Sequence, residues 1–426
     1  MPGGLIQLVK KGVEDAYFTA KPEAAVWRGA FRRVSNFAIE PLRMSWKTDP
    51  AFGGSCTLAV DRLGDLLAGV VAEVTVRKVA GSYATAAYFP IEALFKEVVL
   101  RVDGVEVDRH TSDWFRVYNS MHRTYDSSQQ YTRLANFDPE VISSGAAATQ
   151  TFMFPLAFSF CRSPGGALPL VALPYSEVTL HFTLASAADC GLDASVLEVR
   201  VFGQYVFVDA EERRDLATRP YDLLVEQLQV KTFTLPDTVP STLNPTSFTA
   251  KFTLSGPVKS MYFFLRTEFD GSHGRYIGDP STVPLALTAD VSTPSGLCLV
   301  APLPDSLAPI TDARLSFDDA ERTPQMKFLY FNRMLPLMQC AGQPVPGVGY
   351  FGFGLDPESP TPQGTCNFSV IREVRLDLTM KRSASVSEPN SSTAARDTGD
   401  LRTLVVLAWG FNVLKVAGGR GVLAFL

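Results

Sequence analysis

The chain repeats itself at long range. Glu177-Val-Thr-Leu-His-Phe-Thr-Leu184 and Glu373-Val-Arg-Leu-Asp-Leu-Thr-Met380 share the pattern Glu-Val-x-Leu-x-apolar-Thr-apolar at an offset of 196 residues. Leu100-Arg-Val-Asp-Gly104, followed by Trp114-Phe115, resembles Leu315-Ser-Phe-Asp-Asp319, followed by Tyr330-Phe331, at an offset of 215. Val199-Arg-Val-Phe-Gly-Gln-Tyr-Val-Phe-Val208 resembles Val405-Val-Leu-Ala-Trp-Gly-Phe-Asn-Val-Leu414 at 206. Three similarities in one order at nearly one offset mean two copies of one unit. The period is far too long for a solenoid repeat or propeller blade, so each copy must bury a core of its own.

Within each copy the apolar residues alternate. Val178, Leu180, Phe182 and Leu184 form one such row, and Val374, Leu376, Leu378 and Met380 another. Ala72-Glu-Val-Thr-Val76 and Phe248-Thr-Ala-Lys-Phe-Thr-Leu254 follow the same rule. Period two predicts strands with one buried and one wetter face. Turn signals separate them: Asp103-Gly104, Pro164-Gly165-Gly166, Asn244-Pro245, Ser255-Gly256-Pro257 and Asp270-Gly271. With 31 Gly and 29 Pro the chain is punctuated too often for a helical bundle. About 200 residues of short strands per copy suits an eight-stranded jelly roll carrying long loops. The predicted fold is all-β: two tandem eight-stranded antiparallel jelly rolls with a few short helices.

Helical signals are sparse. Leu5, Leu8, Val9, Val13 and Ala16 would line one face of a helix beside Lys10-Lys11. Asp209-Ala-Glu-Glu-Arg-Arg-Asp-Leu-Ala217 predicts a short helix near the midpoint, with Arg213-Arg214 paired to acids on that same helix. The predicted division is an arm over 1–24, a first jelly roll over 25–215, a linker over 216–222 and a second jelly roll over 223–426.

Chemistry is conspicuous by its lack of pattern. The six cysteines contain no ligand pair and read as buried thiols. His110, His122, His181 and His273 form no HxH or HExxH set, so neither a metal nor a cofactor is expected. Gly347-Val-Gly-Tyr-Phe-Gly352 matches GxGxxG but sits among prolines and reads as a loop entering a strand. Asp318-Asp319 reads as a solvated turn. No nucleophile–base set appears, and catalytic residues are expected to be none. The formal charge of −5 disfavours a duplex-binding protein, which needs a basic face. No stretch approaches the ~18 apolar residues of a membrane span. The start has its basic pair after a short apolar run, the reverse of a secretory signal, so a cytosolic product is expected. Two acceptor motifs for glycan occur, Asn367-Phe-Ser369 and Asn390-Ser-Ser392. Asn390 falls in a polar, turn-rich run; Asn367 abuts a strand and favours a backbone-bonding role.

Short motifs spread from Gly3 to Ala424 resemble, in order, the double jelly-roll major capsid protein family of nucleocytoplasmic large DNA viruses. They include Gly3-Gly-Leu-Ile-Gln-Leu-Val9, Glu14-Asp-Ala-Tyr-Phe-Thr19 and Arg32-Arg-Val-Ser-Asn-Phe37 at the opening. Asp61-Arg-Leu-Gly-Asp-Leu-Leu67 is similar to a turn between early strands, and Asp113-Trp114 to a pair in a strand region. Leu168-Pro-Leu-Val-Ala-Leu-Pro-Tyr-Ser-Glu-Val178 and Asp209-Ala-Glu-Glu-Arg-Arg214 resemble the late first domain, and Leu224-Val-Glu-Gln-Leu-Gln229 the entry to the second. Gly364-Thr-Cys-Asn-Phe-Ser369, Asn412-Val-Leu-Lys-Val416 and Gly418-Gly-Arg-Gly-Val-Leu-Ala424 resemble the close. Departures lie in loops, chiefly Leu265–Pro309 and Ser383–Asp400.

The resemblance implies a homotrimer whose six jelly rolls form a pseudo-hexameric capsomer tiling an icosahedral shell. It implies neighbouring capsomers, minor capsid and penton proteins as partners, an inner viral membrane nearby without a span, and no direct nucleic acid. It places the protein in the virion, made and assembled in the host cytoplasm. The competing reading is a tandem β-sandwich that binds carbohydrate or acts as an enzyme. The missing histidine motif and catalytic set argue against it.

Overall fold

The computed structural model describes residues 3–23, 27, 29, 33–79, 90–137, 147–190, 192–235, 246–269, 272–276, 310–345, 347–359, 361–380 and 401–425. The chain divides into two compact units, Met1–Asn36 and Phe37–Leu426.

The first unit carries two helices where the apolar spacing predicts one. α1 (Gly3–Val9) stops before Lys10, and α2 (Val13–Thr19) begins again after Gly12. The Gly12 N–H donates to the Asp15 carboxylate at 2.9 Å, the reach-back bond of a capping box that starts a new helix. Leu8, Val9, Val13, Tyr17 and Phe18 are exposed.

The second unit contains both copies. The first copy has β1 (Phe37–Met44), β2 (Ser55–Ala59), β3 (Leu66–Lys78), α3 (Pro90–Leu94), β4 (Phe95–Val102), β5 (Val105–Thr111), α4 (Ser112–Met121), α5 (Tyr125–Ala135), β6 (Ala148–Pro155), β7 (Val178–Leu184) and β8 (Leu192–Val208). They make two four-stranded sheets, β1-β8-β3-β6 and β2-β7-β4-β5. All pairings are antiparallel. This interleaving of early and late strands is a jelly roll.

A helix over Ala210–Thr218, capped by the Asp209 carboxylate, leads to the second copy. It comprises β9 (Tyr221–Thr234), β10 (Thr246–Phe252), β11 (Pro257–Phe269), β12 (Ser272–Tyr276), β13 (Ile310–Phe317), β14 (Ala320–Lys327), β15 (Gly349–Gly352), β16 (Cys366–Asn367), β17 (Val374–Met380), β18 (Leu401–Ala417) and β19 (Arg420–Leu423). One sheet is β10-β17-β13-β14. The other places β9 beside β18, β18 beside β11 and β15 beside β11, with β12, β16 and β19 at its margins. Strand for strand the order repeats that of the first roll, so the fold is a double jelly roll.

The alternating rows fall where period two puts them. Val374, Leu376, Leu378 and Met380 of β17 are all buried, with half-buried neighbours between. The first core is centred on Phe95, which stacks on Phe154 at 5.3 Å and meets Phe182 at 5.7 Å. The second is centred on Phe263, against Phe328 and Phe331.

Two further features depart from the sequence expectation. Asp113-Trp114 lies in helix α4, not in a strand. The Thr111 hydroxyl accepts the Trp114 N–H at 3.4 Å, the N-cap arrangement that starts a helix at the end of β5. Arg213 does not pair on its own helix. Its guanidinium reaches Asp65 at 2.8 Å, because that carboxylate is almost fully buried and needs a counter-charge.

Candidate assembly surfaces and the seam between the rolls

The two rolls share hydrophobic material. In β18, Leu404 to Trp409 belong to the second core, whereas Leu414 and Val416 belong to the first. In β9, Leu223 and Val225 serve the first core and Leu228 the second. The closing hairpin returns with Leu423 in the first core, Tyr175 donating its N–H to the Gly419 carbonyl at 3.0 Å, and Gly421 donating to the Ser176 hydroxyl at 3.1 Å. Gly419 has φ +59° to its left at Gly418 and +79° itself, and a Cβ on it would strike the Tyr175 ring at 2.5 Å.

In return the first roll lends α4 to the second. Phe115 on one face of α4 enters the first core, whereas Trp114, Val117 and Met121 on the other enter the second. Trp114 packs edge-on against Trp409 at 5.1 Å and Tyr262 at 5.5 Å. His122 at the helix end meets the Tyr262 hydroxyl at 2.6 Å through Nε2, and its Nδ1 faces Glu358 at 3.3 Å. Just beyond, Gly342 donates its N–H to the Met121 carbonyl and Gln343 to that of Ser120, both at 2.9 Å.

Charges are buried along the same seam. Lys259 is paired with Glu226, and Arg162 from the first roll joins the same carboxylate group. The Lys259 ammonium sits 3.3 Å from the centre of the Trp409 ring, with Arg162 over the same ring at 4.6 Å. Burial drives the Lys259 ammonium well below its ordinary pKa and lowers that of His122 below 6.5. Such a buried set fixes one relative placement of the rolls, since removing one partner strands a charge at a cost of about 3–5 kcal/mol. Nothing in the sequence marks Arg162, Glu226 and Lys259 as a buried set: Lys259 stands beside Ser260 at the start of a strand whose apolar run is Met261–Leu265.

Among the described residues no group of His, Cys, Asp and Glu is arranged to hold a metal ion. His110 pairs with Asp108 at 2.9 Å and stacks on Phe158, and His181 lies between the Thr57 and Thr179 hydroxyls at 3.1 Å each. The described cysteines, Cys56, Cys161, Cys190, Cys340 and Cys366, are free thiols. Burial pushes those of Cys56, Cys161 and Cys340 up to about 12. The GxGxxG glycines run into β15, where Gly349 lies flat on the Phe263 ring, so they build a strand against β11. Asn367 is exposed, and its side-chain oxygen accepts the Ser369 N–H at 3.0 Å. Asn390, His273 and Cys298 lie outside the residues whose side chains are described.

Two rolls welded along one seam define the double jelly-roll class of protein. Residues 25–212 match the family model of the major capsid protein N-terminus, and residues 212–422 that of the large eukaryotic DNA virus major capsid protein. The chain belongs to the major capsid protein family of large eukaryotic DNA viruses.

The major capsid protein of Paramecium bursaria Chlorella virus 1 is 32% identical over 447 residues, spanning all of both chains. That of Pyramimonas orientalis virus is 29% identical, again over all of both. A chain of the Paramecium bursaria Chlorella virus 1 capsid superposes with a TM-score of 0.79 at 27% identity, covering 94% of this chain and 100% of that one. The Faustovirus major capsid protein shares the fold at a TM-score of 0.67 and 12% identity, covering 96% and 94%. The protein is a structural component of a virion capsid and not an enzyme, and the carbohydrate-binding or enzymatic alternative has no support.

Proposed function

We propose that this capsid protein works as a homotrimer, three chains setting six jelly rolls in a ring to give a pseudo-hexameric capsomer. The observation that carries this reading is the seam. It makes the two rolls one rigid block, with β9 and β18 running through both cores. A block of two like modules is one third of a six-module ring, and its lattice neighbours are further copies. The relatives it resembles over its whole length are capsid proteins, one of them seated in a capsid.

The same reading assigns the chain division to an arm over 1–24, a first roll over 25–215, a linker over 216–222 and a second roll over 223–426. Its further partners are minor capsid and penton proteins, with synthesis and assembly in the host cytoplasm near an inner membrane. The exposed apolar residues Leu8, Val9 and Val13, beside Lys10-Lys11, suit the underside of a shell facing minor proteins or anionic lipid. Asn367 and Asn390 are the acceptors a glycan would use, an unmodified chain being the preferred reading.

Negative-stain imaging of the purified chain tests the proposal. Particles with hexagonal outlines support it, and a field of single two-lobed particles contradicts it.

A further inference from the structure

The repeat supplies a template for the contact between subunits. In the first roll, α4 follows β5 and precedes β6; in the second, the helical segment Tyr330–Met334 and Leu335–Gln339 follows β14 and precedes β15. The two segments are topological equivalents. Each sends one phenylalanine, Phe115 or Phe331, into the core of its own roll. Counting from these anchors at equal spacing, Tyr118, Met121 and His122 of α4 match Met334, Leu337 and Met338.

The matched residues differ in one respect. On α4 that face is covered by the outer side of the neighbouring sheet β9-β18-β11-β15, through Trp409 and Tyr262. On the second segment the face is bare: Met334 is 48% exposed, Leu337 79% and Met338 67%. An apolar helix face whose twin is buried against a jelly-roll sheet lacks its sheet.

The matching sheet of the first roll, β1-β8-β3-β6, has an uncovered counterpart. Across its outer side Arg43, Phe202, Val71 and Pro155 lie in one cross-strand row, and in the next row Met153, 37% exposed, stands beside the Glu73–Arg200 ion pair. Phe202, Val71 and Pro155 are only half-buried.

We infer that Met334, Leu337 and Met338 dock on the outer side of sheet β1-β8-β3-β6 of a second copy of this chain, against Phe202, Val71 and Met153. The inference rests on the trimer reading and gives it a head-to-tail contact. It is the intramolecular α4 contact, with its elements supplied by two chains instead of one. A heterologous contact of this kind closes into a ring when its rotation repeats. It also continues the seam already in place, because Gly342 and Gln343 join the end of this helical segment to α4.

The test uses the full chain and light scattering after size exclusion. Leu337→Asp with Met338→Asp on one side, and Met153→Asp with Val71→Asp on the other, are each expected to abolish the species of three times 46.4 kDa and leave monomer. Val370→Asp, at a residue 75% exposed elsewhere, is expected to keep the trimer. Circular dichroism checks that the monomers are folded. As a second readout, Leu337→Cys chains mixed with Met153→Cys chains should yield an oxidised two-chain band that neither variant nor the parent gives alone. Persistence of the trimer in both aspartate pairs, or no band from the mixed chains, overturns this interface and leaves the trimer standing. A parent chain that is itself monomeric overturns the trimer and the interface together.

Discussion

Asp103 and Asp318 make the same clasp in the two jelly rolls. Each occupies a hairpin, between β4 and β5 or between β13 and β14, with φ of +51° and +47°. Asp103 donates its N–H to the Glu177 carbonyl at 2.9 Å while its carboxylate accepts the Glu177 N–H at 2.8 Å and the Ser176 hydroxyl at 2.6 Å. Asp318 donates to the Glu373 carbonyl at 3.0 Å and accepts the N–H groups of Glu373 and Arg372, both at 2.9 Å. The hairpin is thereby tied to the two residues that lead into β7 or β17. Aspartate suits the site because its short side chain tolerates the left-handed conformation and bonds backbone nearby.

Asp103→Ala and Asp318→Ala should each cost about 1–3 kcal/mol, since each strands backbone donors and strains the turn. Chemical denaturation of the two variants measures this. The Ser176 hydrogen bond holds the Asp103 carboxyl below its ordinary 3.8. Its contribution is therefore present above that value and fades as pH falls through the lowered one. Equal stability of parent and variants at pH 7 would remove the clasp from the account.

The closing hairpin should stabilise the first roll, not only the second. Leu414 is 1% exposed and lies in the first core. Leu414→Ala should cost about 2–5 kcal/mol. Hydrogen exchange should show the loss in β2, β4 and β7 of the first roll. Loosening confined to the second roll would contradict the shared core.

The seam should reject any side chain at residue 342. A Cβ on Gly342 would lie 2.2 Å from the Ser120 carbonyl oxygen and 2.5 Å from that of Arg123, both backbone atoms that cannot swing away. Gly342→Ala should therefore destabilise by about 1–3 kcal/mol as overpacking. Thermal melts compare it with Gly165→Ala, where nothing lies within 4 Å. Equal melting temperatures would mean the loop does not press on α4.

The seam should also weaken in mild acid. Burial lowers the His122 pKa below its ordinary 6.5. The unfolded chain then binds a proton more readily than the folded one, so stability falls as pH drops below about 6.5. Melting temperatures between pH 7.5 and 5.5 should fall less in His122→Gln than in the parent. The half-exposed His181 is shifted the same way and remains in both proteins. An identical fall in both would assign the effect elsewhere.

Much of this architecture was legible in the residues, and the reason differs by element. β7 and β17 have one wet face, so their alternation was visible. β11 is covered on both sides, by its own core and by α4, and its buried stretch Met261–Leu265 reads as an unbroken apolar run. The repeat exposed the duplication because Asp103 and Asp318 do the same job in it. Helix α4 was hidden: it follows a strand directly, and its aromatic and β-branched residues have weak helix preference. The seam was hidden for a related reason. Glu226, Lys259 and Arg162 carry ordinary surface chemistry in the sequence, and only tertiary packing buries them together. Arg213 misled for the same cause, its partner Asp65 lying far away in the chain.

The most direct test of the account is the mass of the purified chain in solution, by light scattering coupled to size exclusion. A species of three times 46.4 kDa is the predicted result, being the unit from which a pseudo-hexameric capsomer is made. A stable, folded species of one chain mass would contradict the self-assembling trimer.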